Sequence, residues 1–191
     1  MTMPEVAALF AALLLVMVVA YIVLANYNAV VSLRQRIDKA WSNIDVVLRQ
    51  RHDQLPNLVA AVRGLMAYER DVLTRVTQAR AEYTPSVPIP DQAATSEATT
   101  AAVRSLLAVI ERYPDIKAGT NVQDLQDEIE RLEGMIAARR ELYNDQVYRY
   151  NTRIGQVPGA LLAPLFGWKP REFFAADPAD AIRPDTNLGH V

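Results

Sequence analysis

Apolar positions fall along this chain in two distinct patterns. From 6 to 24 they are continuous: VAALFAALLLVMVVAYIVL, 19 residues without a charge, proline or glycine. About 20 apolar residues cross a bilayer's hydrocarbon core as a helix, and a helix satisfies its own backbone there. The run therefore predicts a transmembrane anchor over residues 1–25. A cleaved signal peptide is the competing reading, with Val23 and Ala25 as small residues before a cut. Against it, no Lys or Arg precedes the run, Glu5 does, and the run is longer than the usual apolar core of a leader. Arg34, Arg36 and Lys39 follow the run. By the positive-inside rule a single-pass anchor then has its N-terminus outside and the following domain in the cytoplasm.

After residue 25 the apolar positions become periodic. Ile37, Trp41, Ile44 and Leu48 step by four, three and four, which is one stripe of a helix. No proline or glycine lies between Ala25 and Arg51, so the anchor is expected to continue into a helix over 26–51. Asp53 then reads as an N-cap with Pro56 in the first turn, which predicts a turn at 52–53 and a second helix over 54–83. Its stripe is Leu55, Leu58, Val62, Leu65, Val72, Val76 and Ala79, interrupted at Glu69. Three prolines between 84 and 90 mark a loop. A third helix is expected over 91–113, capped by Asp91 or Ser96 and ended by Pro114. The fourth stripe is the most regular, with Val122, Ile129, Ile136, Tyr143, Tyr150 and Val157 seven residues apart. Its companion positions drift from Leu125 and Leu132 to Val147 and Ile154, as on a straight helix over 121–157. Pro158 and Gly159 stop it.

The fold class expected is all-α: an N-terminal transmembrane helix continuing into an elongated antiparallel four-helix bundle, residues 26–157. A helix over 121–157 would be about 55 Å long, so the bundle would stand as a rod on the membrane. In up-down order the fourth helix returns to the bilayer and delivers the hydrophobic, aromatic segment 158–175 there. Leu165, Phe166, Trp168, Lys169, Phe173 and Phe174 are the membrane-interface candidates. The alternative, that this segment folds back and closes the bundle, is favoured slightly because Pro164, Gly167 and Pro170 prevent a long amphipathic helix. The tail over 176–191 reads as disordered.

Composition sharpens this picture mainly by exclusion. The chain is 51% hydrophobic and carries no cysteine, which removes disulfides, Cys-based zinc sites, thiol catalysis and lipidation at Cys. A net charge of −2 gives no electrostatic case for nucleic acid. The two histidines are His52 and His190, and Arg49 stands three before His52 where a di-iron bundle needs Glu. Neither a Walker nor a GxGxxG pattern occurs. The acidic run Asp124, Asp127, Glu128, Glu130 and Glu133 is interrupted by Arg131 and reads as a solvated face. No enzyme activity, cofactor, metal, nucleic acid or small-molecule substrate is therefore expected. The polar residues that remain are structural or partner-contact candidates. Arg49, Arg51, Asp53 and Asn57 gather at the expected membrane-distal turn as a partner contact. Glu69 and Arg139 lie on apolar seams, where pairing across the bundle would relieve the cost of burying a charge. Asn144, Asp145 and Asn151 are expected to make interhelix hydrogen bonds.

Six segments in order resemble the LemA family of bacterial membrane proteins: 27–33 (YNAVVSL), 34–47 (RQRIDKAWSNIDVV), 51–59 (RHDQLPNLV), 106–117 (LLAVIERYPDIK), 142–151 (LYNDQVYRYN) and 158–174 (PGALLAPLFGWKPREFF). The loop 84–90 and positions 132–134 depart from the family pattern. The resemblance implies an N-terminal transmembrane helix, a four-helix bundle, the bacterial inner (cytoplasmic) membrane and no agreed enzymatic activity. Some family members are associated with shaping membrane invaginations. The expected function is a non-enzymatic membrane-anchored scaffold that self-associates into a homo-oligomer and organises membrane or protein assemblies. The alternative is an adaptor or regulator of a membrane protein partner such as a protease or phosphatase, docked through Arg49–Asn57.

Overall fold

The computed structural model describes residues 3–63, 70–84, 87–114 and 120–174. All regular structure among them is helical. Five helices lie among the described residues: α1 (Met3–Arg63), α2 (Arg70–Ala81), α3 (Ile89–Ile110), α4 (Thr120–Gly155) and α5 (Gly159–Phe166). Together they form a helical bundle in which the long N-terminal helix α1 packs against α4. Glu69, Leu65 and the tail 176–191, singled out from the sequence, lie outside the described residues.

The chain packs as two compact units, Met1–Lys39 with Asp145–Arg171, and Ala40–Asn144 with Glu172–Val191. In the first unit, α1 is the one helix among the described residues that is long and apolar enough to cross a membrane, and none of that stretch is buried against protein. Burial begins abruptly at Asn26 and continues at Val30 and Ile37. Val147, Tyr150 and Ile154 of α4 and Trp168 beyond α5 complete this unit's core. Gly159 is required where α5 starts, because a Cβ there would collide with the Arg153 carbonyl. The Val157–Pro158 peptide bond is cis. Gly167 ends α5 in the left-handed region at φ 65°, which glycine adopts without steric cost. The turn brings the Trp168 N–H onto the Ala163 carbonyl at 2.9 Å.

The second unit buries the helical stripes. Ile44, Leu48, Leu55 and Leu58 of α1, Val72 and Val76 of α2, Val103 and Leu106 of α3, and Ile129, Ile136 and Tyr143 of α4 are all in its core. The sevenfold set holds from Val122 to Tyr150. Val157, beyond the end of α4, is exposed.

The expected turn at 52–53 is absent. α1 runs through it to Arg63, so Asp53 is an exposed mid-helix residue and Pro56 lies in the helix interior. An interior proline offers no N–H to the carbonyl four residues earlier. That carbonyl belongs to His52, and the Arg80 guanidinium donates to it from Nε at 3.3 Å. A tertiary donor thus replaces the one the backbone lacks, and the helix continues. The third helix also starts earlier than expected. Pro88 is its N-cap residue, without a side-chain cap, and Asp91 lies in the first turn instead of capping. A first-turn carboxylate suits the positive end of the helix dipole.

If Arg80 compensates for Pro56, then Arg80→Met should cost about 1 kcal/mol in denaturant unfolding of the chain in mild detergent. In a Pro56→Ala background, where residue 56 regains its N–H, the same change should cost close to nothing. An equal cost in both backgrounds would assign Arg80 another role.

Candidate functional site

A non-helical segment follows the Gly167 turn, from Trp168 to the last described residue, Phe174. Its backbone makes no regular ladder, so its donors and acceptors need partners elsewhere. α4 supplies them through two Tyr-Asn pairs, 143–144 and 150–151, seven positions apart on one helix face. In the first unit, Tyr150 donates its hydroxyl to the Lys169 carbonyl at 3.1 Å. Asn151 accepts the Arg171 N–H on Oδ1 at 2.8 Å and donates from Nδ2 to the same residue's carbonyl at 2.9 Å. In the second unit, Tyr143 donates to the Glu172 carbonyl at 3.0 Å. Asn144 accepts from the Phe174 N–H at 2.8 Å and donates to the Phe174 carbonyl at 3.1 Å. Each asparagine amide reads both backbone groups of one residue, as a neighbouring strand would.

Aromatic packing accompanies each pair. In the second unit the Trp41 ring lies 5.8 Å from Tyr143 and 5.9 Å from Phe174. In the first unit Tyr27 lies 5.3 Å from Phe166 and 6.2 Å from Trp168, and those two rings stack at 5.1 Å. Arg171 also reaches Asp38 at 3.6 Å, an exposed pair that contributes little.

The second polar centre is Arg51, only 3% exposed in the core of the second unit. Its Nη1 donates to Glu133 at 2.8 Å and to the Thr100 hydroxyl at 2.9 Å. Its Nη2 donates to the Ser96 hydroxyl at 3.1 Å and carbonyl at 3.3 Å. Thr100 in turn donates to the other Glu133 oxygen at 2.7 Å. The guanidinium is thus paired and hydrogen-bonded, the condition under which a buried charge persists. Nearby, the His52 ring lies 5.1 Å from Tyr83. Burial, aided by the Arg80 charge, holds the His52 imidazole below its usual pKa. Burial beside the Asp45 carboxylate raises the Tyr83 phenol, which donates to Asp45 at 3.3 Å.

The expected partner-contact group is therefore divided. Arg49, Asp53 and Asn57 are exposed and share an i, i+4 ridge of α1, while Arg51 points the opposite way into the core. The grouping assumed a turn, and on a continuous helix residues two apart face away from each other. Arg49 pairs with Asp45 at 2.6 Å, which raises its pKa. Asn57 donates to Gln54 at 3.1 Å. With Glu69 outside the described residues, Arg139 is found donating to the Asn43 carbonyl at 2.6 Å. Asn144 and Asn151 bond to the non-helical segment rather than between helices, and Asp145 pairs with Arg149 on its own helix at 2.9 Å. The acidic run does not act as one face: Glu128 holds Arg131, whereas Glu133 turns inward to Arg51. Among the described residues no three His, Asp or Glu side chains group as a metal site would need.

Of the interface candidates, Trp168 and Phe174 are buried and Phe173 half-buried, while Leu165, Phe166 and Lys169 are exposed. Sequence reasoning placed Tyr143 and Tyr150 in the core stripe but missed their hydroxyls' partners. The repeated Tyr-Asn dipeptide at a spacing of seven was the available signal.

Comparison with known proteins adds two findings. The LemA family model matches residues 40–187. MamQ 1 and MamQ 2 of Paramagnetospirillum magneticum, both magnetosome proteins, are each 36% identical over 78 residues, covering 41% of this chain and 29% of theirs. The chain thus spans less than a third of those two relatives. The magnetosome protein MamQ of Magnetospirillum gryphiswaldense is 24% identical over 182 aligned residues, covering 82% of this chain and 67% of that protein.

Two consequences are measurable. Asn151→Leu should speed amide exchange at Arg171, and Asn144→Leu at Phe174, each by about tenfold and each without the other; unchanged exchange at both would remove the asparagines from the segment's support. Arg51→Met should lower the unfolding free energy by about 3 kcal/mol because Glu133 loses its counter-charge. Adding Glu133→Gln should recover part of that loss, and no recovery would mean the pairing is not what holds Arg51.

Proposed function

This chain belongs to the LemA family, and from that premise we propose that it is a non-enzymatic membrane-anchored scaffold, one that self-associates and organises membrane or protein assemblies. The observation that carries the reading is the continuity of α1, Met3–Arg63, from the apolar run into the core stripes. A helix without a break carries the chain directly from the apolar run into the packed helices, which suits display and assembly. Arg51 and the Tyr-Asn pairs support the same view, because they are occupied in packing. Arg51 and both Tyr-Asn pairs spend their hydrogen-bonding capacity on the chain itself. The relatives named as magnetosome proteins fit an assembly component, and we carry over no more than that. The proposed orientation is N-terminus outside with the bundle in the cytoplasm of a bacterial cell, on the strength of Arg34, Arg36 and Lys39 after the run and no Lys or Arg before it. Adaptor use through 49–57 is the weaker reading, since one of its four residues is buried.

Sizing of the full chain in mild detergent and in lipid nanodiscs, with identification of co-purifying proteins, tests this. The expected result is a homo-oligomer in both. A strict monomer in both would overturn self-association, and a stoichiometric foreign protein on a monomer would favour the adaptor.

A further inference from the structure

α5 has the sequence GALLAPLF, eight residues without a charge. It divides into two faces. Gly159 is buried and Leu162 and Ala163 are half-buried, so one face lies on protein. Leu161 and Leu165, four residues apart, are 72% and 76% exposed. Exposed leucines singly need no explanation, but here two share one apolar face, while Phe166 turns toward Tyr27 and Trp168.

The location of that face says what covers it. Tyr27 follows the apolar run of α1 by three residues. Its ring packs on Phe166 at 5.3 Å and near Trp168 at 6.2 Å, within the same compact unit. α5 is therefore held within a helical turn of the point where the run ends. Tyr and Trp gather at that depth because their rings favour the apolar side and their polar atoms the wet side. Lys169 follows, exposed, where a headgroup phosphate would meet it. The Tyr150 and Asn151 bonds to residues 169 and 171 keep the chain leaving α5 in place.

Resting on the reading of α1 as an anchor, we propose that α5 is a second, monotopic membrane contact, with Leu161 and Leu165 immersed in the lipid interface beside the exit of α1. A second copy of the chain is the poorer occupant. An eight-residue helix is about 12 Å long. One face of it falls far short of the 1,200 Å² or so that a stable protein interface buries. Lipid beside the anchor needs no such area.

The chain has no cysteine, so single nitroxide labels can be placed at will. Leu161→Cys, Leu165→Cys, Leu14→Cys in the run and Gln123→Cys on α4 are each labelled in the full chain. Each is reconstituted in phosphatidylcholine–phosphatidylglycerol vesicles, and collisions with oxygen and with a water-soluble nickel chelate are compared. The expected oxygen-to-nickel ratios at 161 and 165 are several-fold above that at 123 and below that at 14. Ratios at 161 and 165 equal to that at 123, with 14 still lipid-like, would overturn the proposal and leave the anchor standing. A water-like ratio at 14 would overturn the anchor reading itself. Dipolar broadening at 165 that vanishes on dilution with unlabelled chain would replace lipid by a second copy.

Discussion

A helix that passes from an apolar run into a protein core must change what surrounds it within about one turn, and α1 does so between Leu24 and Asn26. Up to residue 25 no described side chain is buried, so side-chain packing within the chain does not stabilise that stretch. From Asn26 onward one face is covered by protein. The rest of the structure depends on that handover. α4 and the segment after it offer the apolar surface that Val30 and Ile37 need. α5 and the aromatic rings of Tyr27, Phe166 and Trp168 lie at the changeover.

Continuity of α1 has a second requirement, that nothing break it. Pro56 is the one threat in its interior, and Arg80 answers it by taking the His52 carbonyl. The same logic recurs wherever a backbone group lacks a regular partner. The segment 169–174 has no strand beside it, so Tyr143, Asn144, Tyr150 and Asn151 serve in place of one. Arg51 is the side-chain counterpart, a charge taken from water and enclosed by Ser96, Thr100 and Glu133. In each case a polar obligation is met by residues distant in sequence. These contacts specify the register of the packed elements more than apolar stripes do, because an apolar face tolerates sliding and a hydrogen bond does not.

Much of the fold was legible in the order of residues. The apolar run, the helical class and the sevenfold core from Val122 to Tyr150 follow from periodicity and composition, and the family resemblance rests on six segments in order. Errors fell where local rules met a tertiary partner. Asp53 with Pro56 carries the local signature of a helix start, and a guanidinium 24 residues past Pro56 cancels it. Arg51 beside His52 and Asp53 looks like an exposed charged cluster. Only the direction of its side chain on an unbroken helix, and the arrival of Glu133, show it to be core. Asn144 and Asn151 read as structural polar residues, and the repeated Tyr-Asn spacing marks them, but which backbone they bind is set by the turn after α5.

What the sequence determined by itself is therefore what depends on near neighbours: which stretches are helical, which faces are apolar, and that one run is long enough to cross a bilayer. Hydrophobic burial follows periodicity closely because it is non-directional and needs only a face. The tertiary structure alone decided where polar and charged groups end. Hydrogen bonds and ion pairs are short and directional, and the long-range ones here join residues 19 to 96 apart in the chain.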